Sequence, residues 1–284
     1  MAPEWTTKQW VLSHCLIVGI LTLVLFQYFA VMHHPLRVSV LDVGQGDAIL
    51  IQTPEYKNIL IDAGSDSKVV DELGKQIAFF DKTIDLFILT HPHQDHVGGI
   101  LDVMQKYQIK QVMITGVASG NPTYLAFLDV IKAHSIPILF PKHTKDIQVG
   151  KNVFLDVIFP FESQGFLGQK ADNLNNTSIV TRLVKKEAGE LNPLMMLTGD
   201  AEKEEETEIV LTGQSLDSTI LKLGHHGSRT ATSDGFLWAV SPQAAIISAG
   251  RDNTFNHPHE ETMEKVKDLD VRNTIEEGMV VFEF

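Results

Sequence analysis

Cysteine is almost absent from this chain, and basic residues are scarce. The 284 residues include one cysteine, Cys15, so no disulfide bond can form within the chain. There are 23 lysines and arginines against 36 acidic residues, and the formal net charge is −13. This charge argues against a broad electrostatic grip on nucleic acid, although bound divalent cations would reverse the field locally. The hydrophobic content of 44% is typical of a globular protein with a substantial core.

Residues 11–32 lack Asp, Glu, Lys and Arg altogether. A helix of that length spans about 30 Å, the thickness of a bilayer core. We therefore predict one transmembrane helix and a linker within residues 1–35, followed by a single domain over residues 36–284. A cleaved signal peptide is the alternative. The flanking charges, Lys8 and Arg37, do little to decide the orientation.

Residues 36–284 show no usable internal repeat, no low-complexity tract and no compositional break. Apolar runs and alternation predict strands, and 3.6-residue spacing predicts helices between them, as in an α/β domain. The predicted strands lie at residues 38–43, 48–52, 56–62, 86–89, 111–114, 147–159, 178–183, 194–197, 219–223, 244–248 and 279–284. The predicted helices lie at residues 68–80, 99–107, 124–134 and 259–269. The glutamate-rich segment 202–206 is interpreted as a solvated helix face.

The most specific pattern is the segment His91-Pro-His93-Gln-Asp95-His96-Val-Gly-Gly, which directly follows the apolar run 86–89. Three imidazoles and one carboxylate at the end of a buried strand are suitable ligands for borderline divalent metals. His91 and His93 are separated by one residue, so both rings can face one ion. Asp95 and His96 suit a second ion nearby. The segment therefore predicts a metal site at a sheet edge.

This segment resembles the metal-binding signature of the metallo-β-lactamase superfamily, whose fold is a four-layer αβ/βα sandwich. Four further segments, at residues 41–48, 197–200, 223–228 and 256–259, make residues 36–284 similar to the extracytoplasmic domain of ComEC-type competence proteins. The chain departs from that family in one respect. Those proteins have a multi-span membrane channel, whereas a single span cannot form a DNA conduit alone.

The resemblance implies one or two divalent metal ions, zinc or manganese. The implied ligands are His91, His93, Asp95, His96, Asp200 and His225. Asp200, after the strand 194–197, would bridge two ions about 3.5–4 Å apart. His225 is the expected late ligand, and its neighbour His226 is expected to contact substrate or to lie behind the ligands; the reverse assignment of the two histidines is the alternative. The residues expected to act directly in catalysis are Asp95, Asp200 and His226.

One histidine expected from the superfamily pattern is missing. The interval before Asp200 holds only His134 and His143, which are interpreted as surface residues. Asn175 and Ser178 occupy the corresponding place. An amide is a poorer zinc ligand than an imidazole, so manganese is as acceptable as zinc, and a site with one metal is an alternative.

Other polar residues are candidates for supporting roles. The residues expected to lie behind the ligands are Asp42, Asp47 and Asp62. Of these, Asp62 is suited to orient a ligand histidine through a hydrogen bond. Arg229 is the most suitable cation near a leaving phosphate. The candidates for substrate contact are Asn175, Ser178, His226, Ser228, His257 and His259.

The expected function is that of a membrane-anchored, metal-dependent hydrolase. The resemblance implies a nuclease or phosphodiesterase that acts on DNA through a metal-bound hydroxide, in connection with DNA uptake. The catalytic domain is then expected outside the cytoplasm. Two alternatives stay open. One is hydrolysis of another ester, such as a lactone or a cell-envelope phosphoester. The other is a weakly active accessory module for a separate membrane channel.

Overall fold

The computed structural model describes residues 6–32, 34–142, 146–161 and 165–284. Most strands belong to two seven-stranded sheets, and a short parallel pair, β4 and β6, lies beside them. In chain order the strands are β1 Arg37–Val40, β2 Ile49–Gln52, β3 Asn58–Ile61, β4 Thr83–Ile84, β5 Leu86–Ile88, β6 Gln108–Ile109, β7 Val112–Met113, β8 Ile138–Leu139, β9 Ile147–Gln148, β10 Val153–Phe159, β11 Val180–Glu187, β12 Glu190–Leu197, β13 Ile220–Lys222, β14 Ala244–Ile247, β15 Asp270–Asn273 and β16 Val280–Glu283.

The helices connect these strands, and two single 3-10 turns lie at Asn175–Thr177 and Gly224–Gly227. In chain order the helices are α1 Thr7–Met32, α2 Lys68–Gln76, α3 Gln94–Val97, α4 Ile100–Lys106, α5 Pro122–His134, α6 Lys203–Leu211, α7 Asp234–Val240, α8 Glu260–Val266 and α9 Thr274–Glu277.

Each sheet is antiparallel on one side and parallel on the other. The strand order is β16-β1-β2-β3-β5-β7-β8 in the first sheet and β15-β14-β13-β12-β11-β10-β9 in the second. Pairing is parallel from β3 to β8 and from β12 to β15. In both sheets the parallel strands are joined through segments that contain helices, as parallel pairing requires.

The side chains of successive strand residues alternate between two core layers, because a strand points them to opposite faces. In β2, Ile49 and Ile51 pack in the core between the sheets, whereas Leu50 packs with the buried residues of α2, α4 and α5. In β13, Ile220 belongs to the core between the sheets and Leu221 to the core beneath α6, α7 and α8. Helices therefore cover both outer faces, which confirms the predicted four-layer sandwich.

Helix α1 precedes this sandwich and has 26 residues, a length of about 39 Å at 1.5 Å per residue. Its portion Thr7–Leu25 is long and apolar enough to cross a membrane, and none of that portion is buried in the structure. A signal sequence near an N-terminus has the same length and composition. The structure thus contains one apolar helix of the predicted kind.

Several predicted elements differ from the structure. The long strand predicted at 147–159 is a hairpin of β9 and β10, and the strand β15 and helix α7 were not predicted. The segment 202–206 is solvated only in part, because Lys203 and Glu204 are exposed whereas Glu205 and Glu206 are 2% and 0% exposed. Of the two histidines interpreted as surface residues, His134 is exposed at the end of α5, and His143 lies outside the described residues.

Candidate metal centre

The candidate ligands gather where the parallel strands of the two sheets end. His91 follows β5 in the first sheet, whereas Asp200 and His226 follow β12 and β13 in the second. Open sheets bind ligands in the crevice outside the carboxyl ends of their parallel strands. Because both sheets present these ends at one edge of the sandwich, residues far apart in sequence meet there.

The turn after β5 depends on close backbone contacts. A Cβ atom on Gly98 would lie 2.0 Å from the carbonyl oxygen of Ser65, and one on Gly46 would lie 2.0 Å from that of Asp95. Glycine alone permits such an approach. The two glycines allow the His91–His96 segment to pack between the turn after β3 and the loop between β1 and β2. This explains why Gly98 and Gly46 accompany the ligand motif.

Four candidate ligands form one compact cluster. Asp95, His96, Asp200 and His226 each offer a ligand atom, and these atoms all lie within 4.8 Å of one another. Asp200 Oδ2 lies 3.2 Å from His96 Nε2 and 3.5 Å from His226 Nε2. His226 Nε2 also lies 3.2 Å from Asp95 Oδ2. This is a set of imidazoles and carboxylates directed at a common point.

His91 and His93 lie beside this cluster, and the ring centroids of His91 and His96 are 4.2 Å apart. His91 Nε2 is 3.1 Å from His93 Nδ1 and 3.8 Å from Asp200 Oδ2. Asp200 Oδ2 therefore lies near imidazoles of both groups, 3.8 Å from His91 Nε2 and 3.2 Å from His96 Nε2, so this carboxylate is suited to contact two ions.

The histidine rings are oriented by hydrogen bonds from behind. His96 Nδ1 donates to Asp62 at 2.8 Å, and His226 Nδ1 donates to the carbonyl oxygen of Ser248 at 2.8 Å. In each ring the remaining nitrogen, Nε2, then faces the cluster. Asp62 also accepts hydrogen bonds from the backbone and hydroxyl of Thr90, whose hydroxyl lies 3.1 Å from His91 Nδ1. Such outer contacts fix the tautomer and orientation of ligand histidines.

His225 and His226 point in different directions although they are adjacent. Both have left-handed backbone conformations, with φ of 47° and 57°, which are uncommon outside glycine. His226 is buried in the cluster, whereas His225 is directed toward the cleft surface. His225 Nδ1 lies 3.0 Å from Glu202 Oε1, and its Nε2 lies 3.9 Å from Asp200 Oδ2. Among the described residues the compact cluster includes His226, the alternative late ligand, and does not include His225.

Charges of opposite sign balance each other in the buried cluster. Burial alone would lower the pKa of His96 and His226, but the neighbouring carboxylates, led by that of Asp200, raise it well above its usual value. Burial would raise the pKa of Asp200, but the same two imidazoles hold it well below its usual value. Burial and the charge of His96 lower the pKa of His91. The carboxylates thus create a site that favours positive charge.

Several buried polar atoms of the cluster lack a hydrogen-bond partner among the described residues. They include His96 Nε2, Asp200 Oδ1 and Asn175 Oδ1. Buried polar atoms are normally paired, so these unpaired atoms are suited to contact a ligand. Imidazole nitrogens and carboxylate oxygens are suitable donors for Zn²⁺ or Mn²⁺. The residues present therefore fit a divalent metal ion.

The cluster forms the base of a cleft with a volume of about 300 Å³. Imidazoles and carboxylates make up most of its lining, with two glutamines, an asparagine and one phenylalanine. The lining residues are Gln45, His93, Gln94, Asp95, Asn175, Asp200, His225, His226, Phe255 and His257.

The other predicted residues fall into two groups. Asp47, Asp62 and Ser178 are buried behind the cleft, and Ser178 Oγ accepts from the backbone of Asp200 at 3.2 Å. The second group does not line the cleft. Asp42 forms an ion pair with Lys68 at 2.9 Å, and Ser228 contacts Thr230. His259 accepts a hydrogen bond from the backbone of Arg229, whose side chain faces Glu261 at 3.7 Å.

Some residues of the site were not predicted. One is Glu202, which accepts hydrogen bonds from Asn173, Asn175 and Thr230. Another is Lys222, a fully buried lysine that forms an ion pair with Asp47 at 2.5 Å. Phe255 lies in the lining of the cleft. The sequence offers one signal for Lys222. A lysine that lies between two leucines in a strand and faces the core needs a buried partner.

Comparisons with known proteins agree with this fold. Residues 41–161 match the model of the metallo-beta-lactamase superfamily. The chain is similar to ComE operon protein 3 of Bacillus subtilis (strain 168), with 27% identity over 267 residues that cover 87% of this chain and 33% of the relative. It is also similar to exodeoxyribonuclease WalJ of Streptococcus pneumoniae, with 28% identity over 116 residues that cover 40% of this chain and 43% of the relative.

Among solved structures, the metallo-beta-lactamase fold protein YhfI of Bacillus subtilis matches with a TM-score of 0.54 and 14% identity, covering 88% of this chain and all of that chain. At that identity the match supports the fold alone. The chain spans about a third of the length of its first curated relative.

Proposed function

We propose that this chain, through a metallo-β-lactamase domain, is a metal-dependent hydrolase. Its proposed reaction is the cleavage of phosphodiester bonds in DNA. The observation on which this rests is the convergence of Asp95, His96, Asp200 and His226 at the base of the cleft. This set of two carboxylates and two imidazoles includes two buried atoms without a hydrogen-bond partner, His96 Nε2 and Asp200 Oδ1, which a divalent cation would satisfy.

We assign the ligands from these distances. Asp95, His96 and His226 would hold one ion, His91 and His93 would hold a second, and Asp200 would contact both. His225 is assigned to the cleft wall, where Glu202 orients its ring at 3.0 Å. Asn175, in place of a histidine, makes manganese as acceptable as zinc.

Divalent ions bound here would polarise a phosphoryl oxygen and lower the pKa of a coordinated water. The protein's own residues hold the ligands in place. Asp62 and Ser248 fix the rings of His96 and His226, so little reorganisation is needed when charge develops.

His257 borders the same cleft and is 7% exposed. Burial and the charges of the neighbouring histidines lower its pKa to about 4, so its ring is neutral near neutral pH.

DNA is proposed as the substrate on the basis of the relatives. One is named a ComE operon protein and another an exodeoxyribonuclease. The formal charge of −13 opposes DNA binding at long range. Local attraction must therefore come from the ions and from contacts inside the cleft.

The test is incubation of the full chain in detergent with single-stranded and double-stranded DNA and Mn²⁺, Mg²⁺ or Zn²⁺. We expect cleavage that depends on the metal and is abolished in Asp95→Ala, because Asp95 Oδ2 lies 3.2 Å from His226 Nε2 in the cluster. Asp268→Ala, a change at an exposed aspartate, is the matched control and should retain full activity.

Hydrolysis of a lactone or a cell-envelope phosphoester, with DNA left intact, would overturn the DNA assignment. Metal binding without turnover of any ester would favour an accessory module that serves a separate channel.

We also propose that α1 anchors the protein to a membrane, with the hydrolase domain outside the cytoplasm. The exposed apolar portion Thr7–Leu25 supports the anchor. The protein is expected to remain in the membrane fraction after a high-salt wash, and external protease is expected to digest the domain in intact cells. Release into the soluble fraction with a shortened N-terminus would instead identify a signal sequence. Protection from external protease would reverse the orientation.

A further inference from the structure

An exposed aromatic ring borders the metal cleft. The side chain of Phe255 is 58% exposed, yet it lines the same cleft as Asp95, Asp200 and His226. Among the described residues that line the cleft, it is the only aromatic hydrocarbon. Its ring stacks on that of His257, with centroids 5.7 Å apart and planes 22° apart. Single exposed rings are common on protein surfaces, but this one lies in the cleft lining, where a ligand of the cluster would meet it.

The loop that presents Phe255 is fixed in place. The Asn253 amide donates to the carbonyl oxygens of Gly250 and His257 at 2.8 and 2.7 Å, and it accepts from the backbone of His257 at 2.8 Å. Gly250 in turn packs against Gln45, since a Cβ atom there would lie 2.7 Å from the Gln45 backbone nitrogen. The ring is therefore held in position before a ligand arrives, which reduces the entropic cost of binding.

The ligand must combine two chemical features. A flat unsaturated group fits the ring of Phe255, and an anionic ester fits the cation-favouring cluster next to it. A nucleotide has both, as a base and a phosphodiester. The cleft, at about 300 Å³, lies at the lower end of small-molecule sites, a size suited to one nucleotide and far below that of a duplex.

We propose that Phe255 is a base-stacking platform and that the substrate is an unpaired strand or a frayed end of DNA. This inference rests on the proposed function. In a duplex each base is already stacked and paired, so a protein ring can stack only on a base that is free or has been extruded. Stacking on an aromatic side chain tolerates every base, because each has a π face. The site would thus bind single strands without sequence preference.

The experiment compares two single strands of equal length with the full chain in detergent. One has normal bases, and the other has abasic sugars on the same phosphodiester backbone. We expect the wild type to show a KM and a dissociation constant about 5- to 150-fold lower for the strand with bases, the range of one stacking contact. Phe255→Ala should lose this difference, and Phe255→Trp should keep it. A matched duplex should gain nothing from the ring.

Phe79→Ala is the matched control, because Phe79 is 84% exposed and does not line the cleft. Equal binding of the two strands by the wild type would overturn the platform, as would an unchanged preference in Phe255→Ala. An equal effect of Phe255→Ala on duplex and single strand would overturn the preference for unpaired DNA. Dissociation constants are measured by fluorescence anisotropy with Ca²⁺ present. If neither strand is cleaved with any metal, the proposed function fails, while these constants still decide the stacking.

Discussion

Replacement of Asp200 by asparagine is expected to lower kcat for DNA cleavage by about 10²- to 10³-fold, with a smaller change in KM. Asp200 is buried, and its Oδ2 lies 3.2, 3.5 and 3.8 Å from the Nε2 atoms of His96, His226 and His91. An amide keeps the shape but removes the negative charge that these imidazoles share. The measurement pairs steady-state kinetics with elemental analysis of bound metal.

Asp268→Asn, at an exposed aspartate, controls for the loss of one charge and should leave kinetics and metal content unchanged. Urea unfolding of Asp200→Asn separates a loss of metal from a loss of fold. If the folded variant keeps both its metal and a wild-type kcat, Asp200 is not a shared ligand.

The adjacent histidines give a second comparison within the same assay. His226→Ala should lower metal content together with rate, because His226 Nε2 faces both Asp95 and Asp200. His225→Ala should retain more metal and affect KM more strongly. This order is the reverse of the sequence-based assignment. Equal, small effects of both variants would contradict the two-metal arrangement.

The sequence predicted the elements that end at the site better than those that surround it. The strand before His91 and the strand before Asp200 were both placed correctly, since each is an apolar run followed by polar residues. Four layers followed from the family resemblance, and the two sheets with helices on both faces confirm them. Elements with weaker patterns, such as β15 and α7, were missed because their residues are only partly buried or their runs are short.

The roles of His225 and His226 depend on the backbone and not on residue type. Two consecutive left-handed conformations send one ring into the cluster and the other toward Glu202. Histidine adopts this conformation more often than most residues other than glycine, but it remains uncommon, so no local pattern predicts two in succession.

The burial of Glu206 also depends on distant residues. Its carboxylate accepts hydrogen bonds from the backbone of Thr232 and Ser233, both at 2.6 Å, just before α7 begins. A run of glutamates on a helix is usually solvated, and only the tertiary position of α7 shows that one of them binds its N-terminus.

A buried ion pair holds the two sheets together beneath the candidate metal centre. Lys222 occupies the same face of β13 as Ile220, so its side chain points into the core between the sheets and is 0% exposed. Its Nζ lies 2.5 Å from Asp47 Oδ2, on the loop after β1, and 3.0 Å from the carbonyl oxygen of Gly199. Burial would raise the pKa of Asp47, but the Lys222 charge lowers it to about 2, so the pair is ionised.

Lys222→Met is therefore expected to lower the free energy of unfolding by about 3–5 kcal/mol, because it leaves the carboxylate of Asp47 buried without its partner. The double variant Lys222→Met with Asp47→Asn should recover much of this loss, since neither charge then remains buried alone.

Lys267→Met, on an exposed lysine, is the matched control. Activity should not recover in the double variant, because Asp47 Oδ1 also lies 3.4 Å from His226 Nδ1 and helps to position that ring. Urea unfolding measures the stability, and DNA cleavage measures the activity, of the wild type, the single variant, the double variant and the control. A single variant within about 1 kcal/mol of wild type would show that the pair contributes little, as some buried ion pairs do.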